Sequence, residues 1–561
     1  MGSVLSTSYS VPDEARDLLY DGILNNPSMS DLPSDLCDLA KLVHFEGNAT
    51  PSIPINWRLA ESISALKALE ATLVNAILKR NDHASLFVMS IPLARIRTQD
   101  GTILPLSDMN PNTCRPFGAD ERPTTESFHR MLATGIYKTK DKRFYHIHGS
   151  LNPDPTLVAL ALPLEGEPDD TYDTAVERIQ SRVLEFEGST LDDLMNKQYR
   201  QAGTTIMSAK EYMATEHAQA NADTGLYEII RDKTSSQPAA WWPENSSLPA
   251  NPKRPLAGLK VIDLTRVIAG PTITRSLAEL GASVMRVTSP RVIDWPRAFH
   301  DLNWGKWNTF LHLKDEDDKE KLRRLILDAD VVVDGYRPGV MDRLGFGREA
   351  IFDLIKSRDR GIIHLRENCY GWHGPWADRS GWQGISDACC GVALGFGQAM
   401  GLDEPVIPPF PNSDHCTGVI GCSGILHALI KRAELGGSYG VDTALNYYSQ
   451  WFVQSCGTYA AEVWNELWKK NESPVFRHWE NTRKTFPQMV DLFHRYSEDI
   501  LLYPSFFEER RSEAVGTTFI KVKPIAQYEN EAVHLGFNVG CRGNGLDQPR
   551  WPEDLTVEIV D

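Results

Sequence analysis

From Pro255 to Gly345 the chain alternates apolar strand, turn and helix: PLAGLKVIDLTRVIAGP, then TITRSLAELGASVMRV, then DADVVVDGYRPGVMDRLG, with basic residues recurring at the turns. Val261, Ile262 and Leu264 make an apolar strand, and Val284 to Val287 make the next one. Between them Ala269-Gly270-Pro271 is a turn into a helix, with Pro271 expected at the first helical position, where a missing N–H costs nothing. Strands separated by helices in this way predict an open α/β sheet of the nucleotide-binding kind. A dinucleotide site is excluded, because the first turn reads TRVIAGP and lacks the Gly-x-Gly-x-x-Gly that lets backbone approach a pyrophosphate.

At 561 residues the chain is long enough for two or more domains. A formal net charge of -17 without any Lys/Arg-rich run excludes broad nucleic-acid binding, so an anionic cofactor would have to meet local basic residues. No apolar run approaches the roughly 20 residues that span a bilayer. The start MGSVLSTSYSVPDEARD lacks a secretory apolar core and an Arg-rich transit helix, which predicts a cytoplasmic protein. It does fit the Met-Gly-x-x-x-Ser pattern of N-myristoylation, with Gly2 and Ser6 in place, although a disordered start satisfies the same letters. Nine scattered cysteines without zinc-ligand spacing predict reduced thiols and no metal site, with Cys389 and Cys390 packed as apolar residues.

Residues 1–54 are rich in Ser, Asp, Pro and Asn and are expected to wrap a surface. From Trp57 to Arg80 the spacing predicts a packing helix with Leu66, Leu69, Leu73 and Ile77 on one face. FHRMLATGIYKTKDKRFYHIHGSLNPDPTLVALAL predicts a hairpin followed by a buried segment. A Pro-, Ser- and Asn-dense linker, 236–254, separates the two halves and is expected to be exposed. The stretch 471–561 carries no motif of its own and is expected to complete the large domain and its sheet.

Several motifs between Pro255 and Trp451, namely LTRVIAGP, ADVVVDGYRPGVMDRLG, YGWHGPWADRSGW, PNSDHCTG and GGSYGVDTAL, resemble the class III CoA-transferase family (CaiB/BaiF type) in wording and order. That group contains formyl-CoA transferase, the carnitine CoA-transferases and α-methylacyl-CoA racemase. The resemblance implies a Rossmann-like large domain, here 255–470 plus the tail, and a smaller α/β or α+β domain, here 55–235. Its hairpin resembles the family's Tyr-x-Thr-x-Asp-Gly pattern, with Lys142 in place of the glycine. The small-domain-like region precedes the CoA-binding motifs, the reverse of the common order, so a fused or rotated and intertwined arrangement is expected. The implied partners are an acyl-CoA, an organic acid and a second copy in an interlocked homodimer. Coenzyme A enters as substrate and not as a tightly bound cofactor.

Asp414 stands in PNSDHCTG just before an apolar helix. Physics alone makes it an N-cap or first-turn acid stabilised by free N–H groups and the helix dipole. The resemblance makes it the catalytic carboxylate, which would attack a thioester to form an aspartyl mixed anhydride. It also places Val267, Ile268 and Ala269 along the thioester end of CoA. Ile268 replaces a glutamine of formyl-CoA transferase, which points to an acid larger than formate. Lys306 would reach a phosphate, or be a solvated turn lysine. Gly335, Tyr336 and Arg343 would flank adenine and phosphates, with Arg337 an alternative or a surface partner of an acid. Tyr370 would lie near the pantetheine arm, or simply pack. Where racemases of this family carry Gly-His-Asp, this chain has Gly381-Trp382-Gln383, and His415 on a helix start is a poor general base. Competing expectations are an acyl-CoA racemase or isomerase and a catalytically decayed CoA-binding protein, the latter because an acid-basic pair after the second strand and a glycine-rich lid are not evident.

Overall fold

The computed structural model describes residues 9–80, 94–97, 127–292, 294, 296–498 and 503–561. The myristoylation pattern at Gly2 lies outside the described residues. Seven strands form the main sheet: β1 (Tyr227–Arg231), β2 (Lys260–Leu264), β3 (Ser283–Thr288), β4 (Lys306–Phe310), β5 (Val331–Asp334), β6 (Ile363–Asn368) and β7 (Tyr439–Ala444), in spatial order β1-β7-β6-β5-β2-β3-β4. All neighbours are parallel except β1 and β7. The fold is therefore α/β with an open, mostly parallel sheet.

Parallel strands are covered on both faces, so their apolar residues run consecutively and divide by alternation. Val261, Val331, Val333 and Leu365 point into one core cluster, while Ile262, Leu264 and Val332 point into the other with Leu322, Leu325 and Ile351. Four helices matter for the site: α1 (Leu59–Arg80), α2 (Ala269–Glu279), α3 (Gln383–Cys389) and α4 (Asn412–Leu435). Helix α2 begins at Ala269, two residues earlier than Pro271 suggested.

Helix α1 corrects the one-faced expectation, since every residue from Leu59 to Ile77 is buried, Glu61, Lys67 and Glu70 included. It lies against α4 inside the larger core, and its charges are neutralised internally: Lys67 pairs with Glu70 and lies 3.8 Å from Glu279 of α2. An antiparallel sheet, Gly135–Lys138, Phe144–His148 and Ala202–Thr205, stands apart with its own core around Tyr137, Tyr145 and Ile179. Lys142 turns its hairpin at φ +63°, the conformation that glycine would adopt without a Cβ penalty.

Among the described residues the C-terminal tail adds no strand to the main sheet, which corrects the expectation that it would complete that sheet. Ala526–Tyr528 instead joins Val43–Glu46 and Ala94–Arg97 in a separate three-stranded sheet. Other tail segments cover the exposed edge around β4: Val539 accepts from the Gly305 N–H at 3.1 Å, the Asp547 carboxylate from the Asn308 N–H at 2.7 Å, and Val557 from the Trp307 indole at 3.1 Å. Among the described residues no helix is long and apolar enough to cross a membrane.

Candidate active site

The chain reverses its direction of travel across the sheet at β2, whose neighbours are β3 on one side and β5 on the other. In open α/β sheets the crevice beyond the carboxyl ends at such a switch is where ligands bind. Here the crevice is bounded by Thr265 to Ala269 after β2 and by Gly335 to Arg337 after β5. A Cβ on Gly335 would sit 3.3 Å from the Thr265 side chain and 3.5 Å from the Glu367 carboxylate, so the two strand ends approach closely there. Val267 has φ +73°, a left-handed conformation that a β-branched residue adopts only under constraint, and such strain collects at ligand sites.

Helix α4 packs on the first turn of α2 through Gly418, where an added Cβ would lie 2.4 Å from Thr272 and 3.2 Å from the Ala269 carbonyl. That contact sets Asp414, one turn upstream, near the Val267–Ala269 turn. Asp414 is half-buried in the first turn of α4. The N-cap is Pro411 and no side chain caps the helix, so of the two expected placements Asp414 takes the first-turn one and not the N-cap. No described hydrogen bond or ion pair reaches its carboxylate, and desolvation raises it to about 7.

Glu367 and Asp387 both feel the Asp414 charge, and Asp334 lies beyond Glu367. Glu367 at the end of β6 is pushed up to about 8 by burial, then by Asp414 and Asp334. Asp334 at the end of β5 is raised to about 7 by burial, although the Tyr336 N–H donates to it at 2.9 Å. Asp387 on α3 is held well above the carboxylate range by burial and by Asp414. None of the four forms an ion pair among the described residues.

Cations gather a few residues away. The Arg266 guanidinium lies 5.5 Å over the Tyr336 ring, and Arg337 donates to the Arg200 carbonyl at 2.8 Å. Desolvation, then repulsion from Arg266 and Arg200, holds Arg337 below its usual value. Arg343 is exposed on the short helix Val340–Leu344. Arg200, Arg266 and Arg337, brought together without a described carboxylate on Arg337, form a surface suited to phosphate.

Two expected contacts are corrected. Lys306 is completely buried at the start of β4, where its ammonium donates to Asp263 and to the Pro271 carbonyl, both at 2.9 Å; burial outweighs Asp263 and lowers it to about 8. It braces the base of the crevice and is not available to a phosphate at the surface. Tyr370 is also fully buried, packed with Ala269, Tyr212 and Ile385, while its carbonyl accepts from His217 at 2.8 Å. Ile268 and Ala269 are buried beside the crevice and Val267 is half-buried. His415 faces Thr272 at 3.4 Å. Trp382 stacks on His148 at 5.3 Å and donates to Ser150 at 3.1 Å, so an indole tied to the antiparallel sheet occupies the place of a racemase histidine.

Arg200, Arg266, Glu367 and Asp387 were not singled out from sequence. Arg266 and Asp387 lie inside or beside quoted motifs and could have been found as charges next to glycine turns, whereas Arg200 has no local signal.

Comparison with known proteins gives the family. The family model described as CoA-transferase family III matches residues 256–475. The chain is 54% identical, over 99% of its length and 96% of the relative's, to a protein of Hypoxylon pulicicidum named acetyl-coenzyme A transferase nodX. It is 32% identical to an acyl-CoA transferase of Gibberella moniliformis over 71% of this chain and 70% of that one. A hypothetical protein of Mycobacterium tuberculosis with a crystal structure shares 31% identity over 35% of this chain and 56% of its own, at a TM-score of 0.31. With an open α/β sheet, the motif run from LTRVIAGP to GGSYGVDTAL and a relative similar over nearly the whole length, the chain belongs to CoA-transferase family III.

Proposed function

We propose that the protein moves CoA from an acyl-CoA thioester to a carboxylic acid, with Asp414 as the nucleophile. The observation that carries this reading is the Asp414 carboxylate itself: it has no described hydrogen-bond or ion-pair partner and lies one helical turn before Gly418, which packs on the Ala269 carbonyl at the end of the strained Val267 turn. An ionised Asp414 oxygen attacks the thioester carbonyl carbon, the C–S bond breaks, and CoA leaves as thiolate, giving an aspartyl mixed anhydride. Further anhydride and thioester steps exchange the acids and return Asp414 as carboxylate. Ile268 offers an apolar wall to the acyl group. The name of the relative from Hypoxylon pulicicidum makes acetyl-CoA the first donor to try.

Arg200, Arg266, Arg337 and Arg343 would hold the phosphates of CoA, and Tyr336 would flank the adenine. In this reading Arg200 comes from the smaller, N-terminal region and completes a site built mainly on the large domain. Neutralising Arg337 or Arg343 as Gln is expected to weaken CoA about tenfold each, since a charge-assisted hydrogen bond contributes roughly 1.5–3 kcal/mol. The loss should shrink at high salt. Calorimetric titration with unchanged CoA affinity in both variants would remove the arginines from the site.

The homodimer and the cytoplasmic location belong to the same proposal. All described cysteines are free, in keeping with a reducing compartment. Light scattering and cell fractionation test them. The chemistry is tested by mixing the protein with acetyl-CoA and other acyl-CoAs, quenching with hydroxylamine and mapping the product by mass. A hydroxamate on Asp414 is expected; transfer without any modification of Asp414 rejects the covalent route.

A further inference from the structure

Helix α3 is held in one place by contacts on several sides. Ser386 bonds Ser449 at 2.8 Å, the Cys389 thiol lies 3.8 Å from Asn446, and the Trp382 indole at its start is tied to Ser150. Asp387, in the middle of this helix, is only 5% exposed. Gln383, one turn earlier, donates its amide to one Asp387 oxygen, and the Ser413 hydroxyl approaches the same carboxyl. Ser413 immediately precedes Asp414, and the Asp414 charge acts on Asp387 across the α3–α4 contact.

Of the elements packed on α3, α4 presents Asp414 and the antiparallel sheet presents His146, whose ring lies 2.8 Å from where a Cβ on Gly384 would be. Burial holds His146 down to about 4, so it brings no charge. Glu367 faces Asp414 from β6. No described lysine or arginine forms an ion pair with Asp387, Asp414 or Glu367. Carboxyls grouped without a cation cannot all ionise near neutral pH. The proton belongs where solvent helps the anion least, and Asp387 is the most buried of the three.

We propose that Asp387 is a positioning residue that carries a proton and donates it as a hydrogen bond to its neighbour Asp414, leaving Asp414 the anionic member of an acid–carboxylate pair. The proton stays on Asp387 throughout, so no bond is made or broken there. Its hydrogen bond aims one Asp414 oxygen and leaves the other to attack. This inference rests on the reading of Asp414 as nucleophile. Burial together with Asp414 holds the Asp387 carboxyl well above the ordinary range, which is the protonation that the arrangement needs.

The test compares Asp387→Asn, Asp387→Leu and Glu367→Gln by acetyl-CoA exchange across pH, with hydroxylamine trapping alongside. Wild type should give a bell-shaped profile of kcat/KM, its alkaline limb reporting loss of the Asp387 proton. Asparagine keeps a donor that never titrates, so Asp387→Asn should lose the alkaline limb and hold kcat within about tenfold, while Glu367→Gln retains the limb. Asp387→Leu should lose about 100-fold in kcat with KM little changed. An alkaline limb that persists in Asp387→Asn, or equal rates for the Leu and Asn variants, overturns the proposal. A measurement that needs no active variant is the infrared difference spectrum at neutral pH: wild type minus Asp387→Asn should show a protonated-carboxyl band, and a difference spectrum without one overturns the proposal. No hydroxamate on wild-type Asp414 overturns both readings, whereas normal trapping with an unshifted profile overturns only the role of Asp387.

Discussion

Asp414→Asn is expected to abolish CoA transfer, lowering kcat by about 10³-fold or more, as loss of an attacking nucleophile does. The amide lacks the anionic oxygen that would attack the thioester. Little else should change. Asp414 caps no helix end and forms no described ion pair, and an amide oxygen can still accept from Asp387, so CoA affinity and thermal stability should stay close to wild type. The same burial predicts an unusual pH dependence. Only the ionised carboxylate attacks, and Asp414 is raised to about 7, so kcat/KM should rise with pH through about 7. An ordinary aspartate would complete that rise near pH ~4. Exchange assays between pH 5 and 9, paired with a CoA titration of the Asn variant, check both parts. Transfer by Asp414→Asn at the wild-type rate would leave this carboxylate without a catalytic role.

Lys306→Met should have the largest effect on stability. Its ammonium and the Asp263 carboxylate are both completely buried, and Asp263 also accepts from Thr265 and Thr274. Removing one member of a buried pair leaves the other charge without a counter-ion and typically costs about 3–5 kcal/mol. The Pro271 carbonyl loses its donor as well, which loosens the start of α2 and with it the strained turn at Val267. Unfolding in urea should therefore show a lower midpoint, and residual activity should fall with it. Combining Lys306→Met with Asp263→Asn should recover part of the lost stability, because the stranded charge is gone. A double variant no more stable than the single one would show that the cost lies in packing.

Much of the large domain was legible because its signals are local. The apolar runs of β2, β3 and β5 are short, separated by glycine turns and alternate between two cores, a pattern that a few consecutive residues display on their own. Asp414 was legible through the Asp-x-x-Thr-Gly spacing and its neighbours in order. The expectation for Lys306 failed for an instructive reason: a lysine after a glycine turn reads as exposed, and only the distant Asp263, on a different strand, makes its burial tolerable. Tyr370 and α1 failed similarly, since the elements that cover them come from far along the chain.

The sequence by itself therefore determined the α/β alternation and the identity of the family, and singled out Asp414 as the proposed nucleophile, because each is written in contiguous residues. Only the tertiary structure decided which charges meet. The Arg337 guanidinium reaches the Arg200 carbonyl from 137 positions away and feels the Arg200 charge, and the carboxyls of Asp334, Glu367, Asp387 and Asp414 arrive on four separate elements. Their protonation depends on shared burial and mutual repulsion, quantities that no single segment possesses before the chain has folded.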